Sequence, residues 1–382
     1  MAGLAVASGV SQVLRQGGYE FFVAERHDDA DIRRLLRENP TPGSFSLSFE
    51  REPSAFDDGG PRALRQCFII ARDRRTGEAI GVCERAVREA YIDGKVHKLP
   101  YLSALRIAPT HRNRIGVLRG GFEALRQFAE QADETPFALT SIAAENETAL
   151  RILSRGIPGL PVYSPVGAYS TFVLGAKSEK LLAGIRPATP QDFPALAKFL
   201  QSALASKQFG PYWREEDLTA LAENGLPASQ ILLATRNGRI HGCMGVWDQT
   251  GFKQTVARQY PAIVSAVRPL INVFAPLTGS PQLPAIGQPL RLAVLSLVAV
   301  AGDNQSVLQE LLRSALGVAG RLGHSGAIFG AARDTQARET IRRHYRFAIE
   351  YETRLFLVHW HDAKHHVARI AGATPAPELG HL

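Results

Sequence analysis

The sequence predicts an α/β protein of the α+β type that consists of two similar halves. Three observations predict it: pairs of short strands joined by tight turns, a strand that runs through a basic turn into a helix, and a weak internal repeat. The chain has 382 residues, which is long for one domain, so we expect two of ordinary size. Its apolar content of 45% and charged content of 21% are typical of globular proteins.

The strand pairs occur in both halves of the chain. The predicted strands are Cys67–Arg72, Ala79–Glu89, Ile231–Thr235 and Ile240–Trp247. The second pair is joined through Asn237-Gly238, and Asp93-Gly94 indicates a further hairpin. Asn-Gly and Asp-Gly between apolar runs are strong hairpin signals because both residues accept positive φ angles.

A strand, a basic turn and a helix follow one another near the middle of the first half. The predicted elements are the strand Tyr101–Ala108, the helix Val117–Gln131, the strand Phe137–Ala144 and the helix Glu147–Ser154. Backbone N–H groups at a helix start lack partners, and the helix dipole adds positive potential there. With Arg112, Arg114 and Arg119 nearby, the turn predicts a site for phosphate groups.

The internal repeat appears at two places in the same order. Val23–Leu36 aligns with Pro187–Leu200, and Ala143–Ala149 aligns with Ala331–Ala337. The predicted organisation is a flexible N-terminus (1–17), two domains (18–176 and 185–364) and a flexible tail (365–382), with a linker between the domains. A segment without counterpart in the first half contains a predicted helix, Thr255–Val273, that ends before Pro276.

Charge and cysteine content favour some classes of function over others. The net charge is +8, but the arginines are scattered, so we do not expect nucleic acid as a partner. The three cysteines have no metal-site spacing, and we expect no metal and a reducing compartment. No apolar run reaches the roughly 20 residues needed to span a bilayer, so the expected location is the cytoplasm. The oligomeric state stays open.

Two stretches, Leu105–Leu118 and Thr140–Ala149, resemble the GNAT N-acetyltransferase superfamily. The acyl-CoA motif of that family is Arg/Gln-x-x-Gly-x-Gly/Ala. Arg112 matches its first position, while Ile115 and Val117 replace the two small residues and Gly116 lies between them. The second motif, Asn-x-x-Ala, is matched by Asn146 and its partner three residues later. The tyrosine that often follows this alanine as general acid is Leu153 here and Ile341 in the second half.

This resemblance implies two GNAT-like domains, each a mixed, mostly antiparallel twisted sheet flanked by helices. It implies that the first binds acetyl-CoA or another acyl-CoA as cosubstrate and transfers the acyl group to an amine on a small molecule, lipid or peptide. The second is expected to be degenerate, because its loop 301–306 has no arginine. The implied cofactor-binding residues are Ile107, Ala108, Arg112, Asn113, Arg114, Ile115, Gly116, Val117, Leu118 and Asn146.

Two residues are candidates for proton transfer. Glu84 lies among apolar residues of a predicted strand, where burial would raise the pKa of its carboxyl into a range suited to a base; the alternative is a solvated outward face. Tyr163 is a candidate to replace the missing general acid; the alternative is a tyrosine that only packs.

Two other functions remain open at this level. Because both expected tyrosines are absent, one alternative is a catalytically inactive GNAT-fold protein that binds a ligand or partner. The other is an aminoacyl transferase similar to the Fem type, which uses charged tRNA.

Overall fold

The computed structural model describes residues 12–43, 45–57, 63–368, 370 and 374–381. The strands of the first half are β1 (Val13–Gln16), β2 (Tyr19–Val23), β3 (Ser46–Glu50), β4 (Arg65–Asp73), β5 (Ala79–Ile92), β6 (Lys95–Ile107), β7 (Phe137–Ala143) and β8 (Val162–Gly175). Those of the second half are β9 (Ile185–Pro187), β10 (Ile231–Arg236), β11 (Arg239–Trp247), β12 (Gln254–Gln259), β13 (Leu292–Val300), β14 (Gly326–Ala332) and β15 (Ile349–His359). The helices are α1 (Asp29–Glu38), α2 (Ile115–Phe128), α3 (Glu147–Leu153), α4 (Phe193–Leu204), α5 (Glu215–Glu223), α6 (Ala262–Thr278), α7 (Gln305–Arg321), α8 (Gln336–His344) and α9 (Lys364–Ala368).

Most of these strands form one continuous, mostly antiparallel sheet. Its order is β1-β2-β4-β5-β6-β7-β15-β8-β14-β13-β11-β10-β9. If β1 is left aside, the order is symmetric about its centre. Read from the two edges, β2, β4, β5, β6, β7 and β15 correspond in turn to β9, β10, β11, β13, β14 and β8. The two parallel pairs, β6 with β7 and β13 with β14, occupy equivalent places. The predicted mixed sheets flanked by helices are therefore present, but they are joined into one.

The two halves are joined because each gives its last strand to the other. β15 lies between β7 and β8 and pairs antiparallel with both, while β8 also pairs with β14. Phe356 and Val358 of β15 consequently lie in the first half's apolar core, together with Phe68 and Phe122. Burial of each such side chain stabilises the fold by about 1.5–3 kcal/mol.

The helix predicted over Thr255–Val273 is present, but its bounds are wrong. The chain first forms β12, whose Thr255 pairs with Phe49 of β3 in the first half, and α6 starts only at Ala262 and runs past Pro276 to Thr278. Period-based reasoning failed because the partner of β12 lies about two hundred residues away. No helix in the described part of the chain is long and apolar enough to cross a membrane.

Both predicted flexible ends require correction where the structure describes them. Residues 1–11 lie outside the described residues, but Val13 pairs with Phe22, so β1 is an edge strand of the sheet. The tail packs against the protein over residues 374–381, as detailed below. Backbone pairing in the first case and side-chain burial in the second fix segments whose composition resembles that of loops.

Candidate active site

A gap opens between β6 and β7 in the first half. The two strands pair in parallel only at Tyr101 and Leu102 of β6. Shortly afterwards β6 is irregular: Ala104 has a φ of +54°, and the register with β5 shifts nearby. Such a bulge bends a strand away from its neighbour. The gap between 103–108 and 141–146, here called the crevice, lies at the carboxyl ends of two parallel strands, where open α/β sheets bind ligands.

Backbone N–H groups of β6 differ in their availability at the crevice. The Ala108 N–H donates to the carbonyl of Ile80 on β5 at 2.7 Å, so it is already paired within the sheet. Successive residues of a strand direct their N–H groups to opposite edges, so the Ile107 N–H is directed away from β5, toward the crevice. Of these two predicted residues, Ile107 is therefore the one that can donate to a ligand.

The basic turn at the start of α2 is exposed and tied to α1. Arg112, Asn113 and Arg114 have exposed side chains. The Arg112 guanidinium donates to the Ile107 carbonyl at 3.3 Å and to Oδ1 of Asn39 at 3.0 Å. Arg112 therefore both positions the turn and contributes positive potential beside the first N–H groups of α2.

The two positions where the acyl-CoA motif has small residues do not block the start of α2. Val117 is 3% exposed and packs toward the sheet, as does Leu118 next to it. Ile115 is partly buried against the same core. A Cβ atom added at Gly116 would meet no other atom within 4 Å. The backbone at this helix start therefore remains open to a ligand.

Asn146 lies across the crevice from α2. It caps the N-terminus of α3, and its Oδ1 accepts a hydrogen bond from the Ala149 N–H at 3.2 Å. The Asn-x-x-Ala spacing thus has a local cause, because an N-cap side chain bonds the N–H three residues later. The cap fixes the side of the crevice that faces α2.

The sequence did not indicate Arg106 and Tyr351, which lie near each other at the crevice. The Arg106 Nε is buried without a hydrogen-bond partner among the described residues, and burial lowers the pKa of this guanidinium, as does Arg112. Burial, reinforced by Glu145, raises the pKa of Tyr351 to about 12, while Arg106 opposes the shift. Arg106 adjoins the motif and could have been found; Tyr351 arrives from the other half on β15.

A small apolar cavity of about 30 Å³ lies beneath α2 and beside the bulge. Its lining includes Val82, Leu105, Val117, Gly121 and Phe122. A larger cavity of about 360 Å³ lies further along the same helix and shares Phe122 and Leu125 with the small one. The small cavity has about the volume that one water molecule occupies in the liquid, enough for a methyl group.

Glu84 lies at the base of the crevice, buried on the sheet face opposite α2. It accepts hydrogen bonds from Ser103 Oγ at 2.6 Å, Gln66 Nε2 at 2.7 Å and Arg51 Nη2 at 2.5 Å. At the same level, the hydroxyls of Tyr101 and Ser141 bridge β6 and β7 at 2.7 Å.

Both sequence-based interpretations of Glu84 need correction. The residue is 3% exposed, so it does not lie on a solvated face. Burial alone would raise the pKa of its carboxyl, but Arg51, the Ser103 hydroxyl and Lys253 outweigh burial and lower it. The expected isolated carboxylate is in fact a paired one, ionised at neutral pH. Lys253 comes from the second half and could not be anticipated from the local sequence.

The C-terminal segment closes the space beside Glu84. The Gly380 carbonyl accepts hydrogen bonds from Gln249 Nε2 at 3.0 Å and Lys253 Nζ at 3.2 Å. The His381 ring packs against Trp213, with ring centroids 5.4 Å apart. The predicted flexible tail is therefore a packed segment over its described residues 374–381, because it covers apolar and polar groups of both halves.

A small cavity, here called the polar cavity, remains between this segment and the sheet. Its volume is about 10 Å³, and its lining includes Arg51, Glu84, Tyr101, Ser103, Trp247, Lys253 and His381. Three nitrogens in it are buried without a hydrogen-bond partner among the described residues: Arg51 Nη1, Trp247 Nε1 and His381 Nε2. Burial, then the charges of Arg88 and Lys253, lower the pKa of His381 well below its usual range. Arg51 Nη1 and Trp247 Nε1 are donors, and buried donors without a partner favour an acceptor atom from water or a ligand.

The second half repeats the bulge but not the open site. Leu297 of β13 has a φ of +53° and corresponds to Ala104 of β6. The residue pair beside this bulge is Gly245 with Ser296, whereas in the first half it is Glu84 with Ser103. The Leu297 N–H donates to Oε2 of Glu378, a carboxylate of the C-terminal segment, at 3.2 Å. Burial raises the pKa of Glu378.

Tyr163 is not brought to the crevice. Its ring packs edge-on against Phe122 and Phe356 in the apolar core, and burial raises the pKa of its hydroxyl far above the ordinary value. Val358 of β15 pairs with Tyr163 on one side and with Ala138 of β7 on the other. Tyr163 therefore lies two strands away from β7, at the level of Ala138, before the point along β7 where the crevice opens. Two strand spacings correspond to about 10 Å.

Sequence comparison alone gives no family. No family model matches the chain, and no curated protein matches its sequence.

Solved structures show the fold. N-myristoyltransferase of Saccharomyces cerevisiae with bound myristoyl-CoA is 11% identical, with a TM-score of 0.62, and the match covers 91% of this chain and 84% of that one. A GCN5-related N-acetyltransferase of Sphaerobacter thermophilus is 15% identical, with a TM-score of 0.55 and coverage of 90% and 96%. A GCN5-related glucosamine N-acetyltransferase region of a fungal β-N-acetylglucosaminidase is 14% identical, with a TM-score of 0.55 and coverage of 92% and 38%. Together with the bulged strand and the diverging parallel pair, these matches show that the chain shares its fold with these solved transferase structures.

Proposed function

We propose that the first half binds an acyl-CoA, most readily acetyl-CoA, and that the protein transfers the acyl group to an amine. The observation that carries the proposal is the crevice itself. A bulged strand, a parallel neighbour that diverges from it and an open helix start with exposed arginines support this proposal, in which the CoA chain lies along the crevice with its phosphates at the helix start. The acceptor is an amine of a small molecule, lipid or peptide.

In this proposal, different residues of the crevice contact different parts of the cofactor. The diphosphate lies at the first N–H groups of α2, in the positive field of Arg112 and Arg114. The pantetheine arm follows the crevice past Asn146. The Ile107 N–H donates to the thioester oxygen, where negative charge develops. The acetyl methyl group enters the cavity of about 30 Å³ beneath α2.

The amine approaches the thioester from the Glu84 side of the crevice; the polar cavity itself, at about 10 Å³, has room for no more than about one water molecule. The ammonium form of the amine gives a proton to the ionised Glu84, either directly or through the Ser103 hydroxyl, which donates a hydrogen bond to Glu84 Oε2 at 2.6 Å. The amine nitrogen then bonds to the thioester carbon, the carbon–sulfur bond breaks, and the CoA thiolate leaves. The nitrogen loses its second proton to solvent as the amide forms, and Glu84 releases the first proton to solvent before the next turnover. Tyr351 stays protonated at neutral pH and is the phenol available to give the thiolate its proton. Tyr163 has no part in this scheme.

The second half is proposed to be a duplicated copy that lost its own site. The symmetric strand order and the matching bulges at Ala104 and Leu297 support duplication. Gly245 stands where Glu84 stands in the first half, and Glu378 holds the backbone N–H at the second bulge. In this scheme the second half contributes Lys253 and Tyr351 to the active first half.

Calorimetric titration of the protein with acetyl-CoA and with CoA tests the cofactor site. We expect one site per chain, and weaker binding in an Arg112→Ala, Arg114→Ala double variant. The matched control is the Arg236→Ala, Arg239→Ala double variant, which removes the same charge from an exposed hairpin of the second half. Both double variants should retain the wild-type circular dichroism spectrum.

The outcomes separate the proposal from its alternatives. Binding that is lost in the first double variant and kept in the control supports the site and justifies a screen of amine acceptors. No binding at millimolar CoA or acetyl-CoA would overturn the proposal. Equal loss in both variants would show that net charge, not the turn, attracts the ligand.

A further inference from the structure

α6 exposes an apolar stripe along its whole length. Five large side chains recur at spacings of four and three residues, which places them on one side of a helix. They are Ile263, Val267, Leu270, Phe274 and Leu277, with exposed fractions of 74%, 38%, 61%, 52% and 76%. Val273, 68% exposed, widens the stripe. The only charged residue in the helix is Arg268.

The buried side of α6 fixes this orientation. Val264 and Ile271 pack on a small core that contains Ala257, Tyr260 and Leu283. The Asn272 side chain accepts from the Leu283 N–H at 2.8 Å and donates to the Leu283 carbonyl at 2.9 Å. Turning the stripe inward would break these contacts. The stripe is therefore held outward by the fold.

An outward stripe of this composition indicates a partner. Scattered exposed apolar residues are ordinary, but contiguous ones mark interaction surfaces. Each of these side chains gains about 25 cal/mol for every Å² that leaves water. Among the described residues of the first half no helix corresponds to α6, so it is not part of the repeated architecture.

The size and charge of the surface favour a lipid surface over a second copy of the chain. Ile263 to Leu277 spans about 21 Å at 1.5 Å per residue, and a helix is roughly 10 Å wide. The resulting footprint of about 200 Å² is far below the roughly 800 Å² per partner of a stable protein interface. Pairing helices also use flanking charges to set their register, and the positions beside the stripe hold Ala, Ser, Pro and Val.

A bilayer requires neither a large interface nor flanking charges. It accepts single apolar side chains from a helix that lies in the interface plane. The Lys177 Nζ lies 3.4 Å from the Leu277 carbonyl, so a cation accompanies the C-terminal end of the stripe. Together with Arg268 within the helix, this cation favours membranes that contain anionic lipid.

We propose that α6 is a membrane-docking helix that lies flat on an anionic bilayer surface and inserts its apolar stripe. The proposal does not depend on acyl transfer, because it rests on the exposed face alone.

Flotation of the whole protein with unilamellar vesicles tests the docking. The vesicles contain phosphatidylcholine alone or phosphatidylcholine with about 30 mol% phosphatidylglycerol, a fraction of anionic lipid comparable to that of natural membranes. We expect the protein to float with anionic vesicles. A Leu270→Glu, Phe274→Glu double variant should lose at least about tenfold in partitioning, because charged side chains resist insertion.

The control places the same two charges elsewhere. Ser202→Glu, Thr219→Glu changes exposed residues of α4 and α5, and it should float like the wild type. Because all four positions are exposed, thermal melting should be unchanged in both variants, which excludes misfolding as the cause. Flotation should persist in 0.5 M salt at reduced strength, since apolar insertion outlasts screening on the order of a 4 Å Debye length.

Two results would overturn the proposal. One is failure of the wild type to float with either kind of vesicle. If light scattering then finds a dimer that the Leu270→Glu, Phe274→Glu variant dissociates, the stripe binds a second copy of the chain instead. The other is flotation that both double variants retain equally, which would place membrane binding on a different surface.

Discussion

Glu84 illustrates how a single buried carboxylate depends on partners from distant parts of the chain. Its oxygens accept hydrogen bonds from Arg51, Gln66 and Ser103, and Lys253 adds positive charge. We expect Glu84→Gln to lower the free energy of unfolding by about 3–5 kcal/mol, because Arg51 is left as a buried, unpaired charge. Urea denaturation at pH 7 measures the loss, with Ser103→Ala as a milder comparison of about 1 kcal/mol.

The pH dependence of this contribution has a definite sign. The pKa of Glu84 is lower in the folded protein than its ordinary value of 4.5. Its stabilising effect is therefore complete above pH 4.5 and is lost as the pH falls through the lowered pKa. The stability difference between wild type and Glu84→Gln should shrink on acidification; a difference that stays constant down to pH 3 would contradict the lowered pKa.

The same residue is expected to act on the amine. In the proposed reaction, Glu84→Gln should lower kcat by at least about a hundredfold, as removal of a general base does. Acetyl-CoA binding measured by calorimetry should be unchanged, because Glu84 lies on the acceptor side. The wild-type rate should show no acid limb from Glu84 near neutral pH, so an acid limb near pH 7 that disappears in the variant would contradict its lowered pKa.

Adjacent glycines in α2 have opposite packing environments. A Cβ atom added at Gly120 would overlap the ring of Phe21, while one at Gly121 would meet nothing within 4 Å. We expect Gly120→Ala to destabilise the fold by about 1–3 kcal/mol through overpacking. Gly121→Ala should stabilise it by up to about 1 kcal/mol, because alanine favours a helix. Thermal denaturation of the two variants compares them directly, and equal effects would contradict this packing.

At the scale of elements, α2 separates two cavities and is expected to limit the length of the acyl group. The small cavity beside the bulge and the cavity of about 360 Å³ share Phe122 and Leu125. Phe122→Ala should join them and raise the kcat/KM ratio of octanoyl-CoA over acetyl-CoA by roughly 10–200-fold, the range for a hydrophobic pocket that gains room. Phe128→Ala shortens a side chain of the same helix that lines neither cavity, and it should leave the ratio unchanged. A shift in both variants would indicate that the packing of α2 as a whole has loosened.

The elements of the first half were largely predictable from local patterns. The predicted strand and helix around Arg112 match β6 and α2 to within a few residues at the turn, because Pro109 ends the strand locally. The hairpins at Asp93-Gly94 and Asn237-Gly238 formed as expected, with positive φ at all four residues. Prediction failed at β12, since its pairing with β3 joins segments far apart in the sequence.

At the scale of the whole molecule, the exchange of β8 and β15 makes the two halves mutually dependent. We expect residues 1–176 and 185–382, expressed separately, to lack cooperative unfolding, because each lacks the strand that completes its sheet. Mixing them should restore the spectrum and the cooperative transition of the full chain. Circular dichroism during urea titration provides the measurement. Independent cooperative folding of either fragment would contradict the dependence, and a domain boundary at 176–185 would then describe separate folding units.

The sequence by itself determined the local parts of this protein: the hairpins, the basic turn at Arg112, the start of α2 and the cap at Asn146. Each depends on backbone preferences within a few residues. Only the tertiary structure decided the crevice, the pairing that lowers the pKa of Glu84, and the C-terminal segment that carries Glu378 to the second bulge. These features join residues from both halves, and their energies come from burial and charge pairing that no local pattern records.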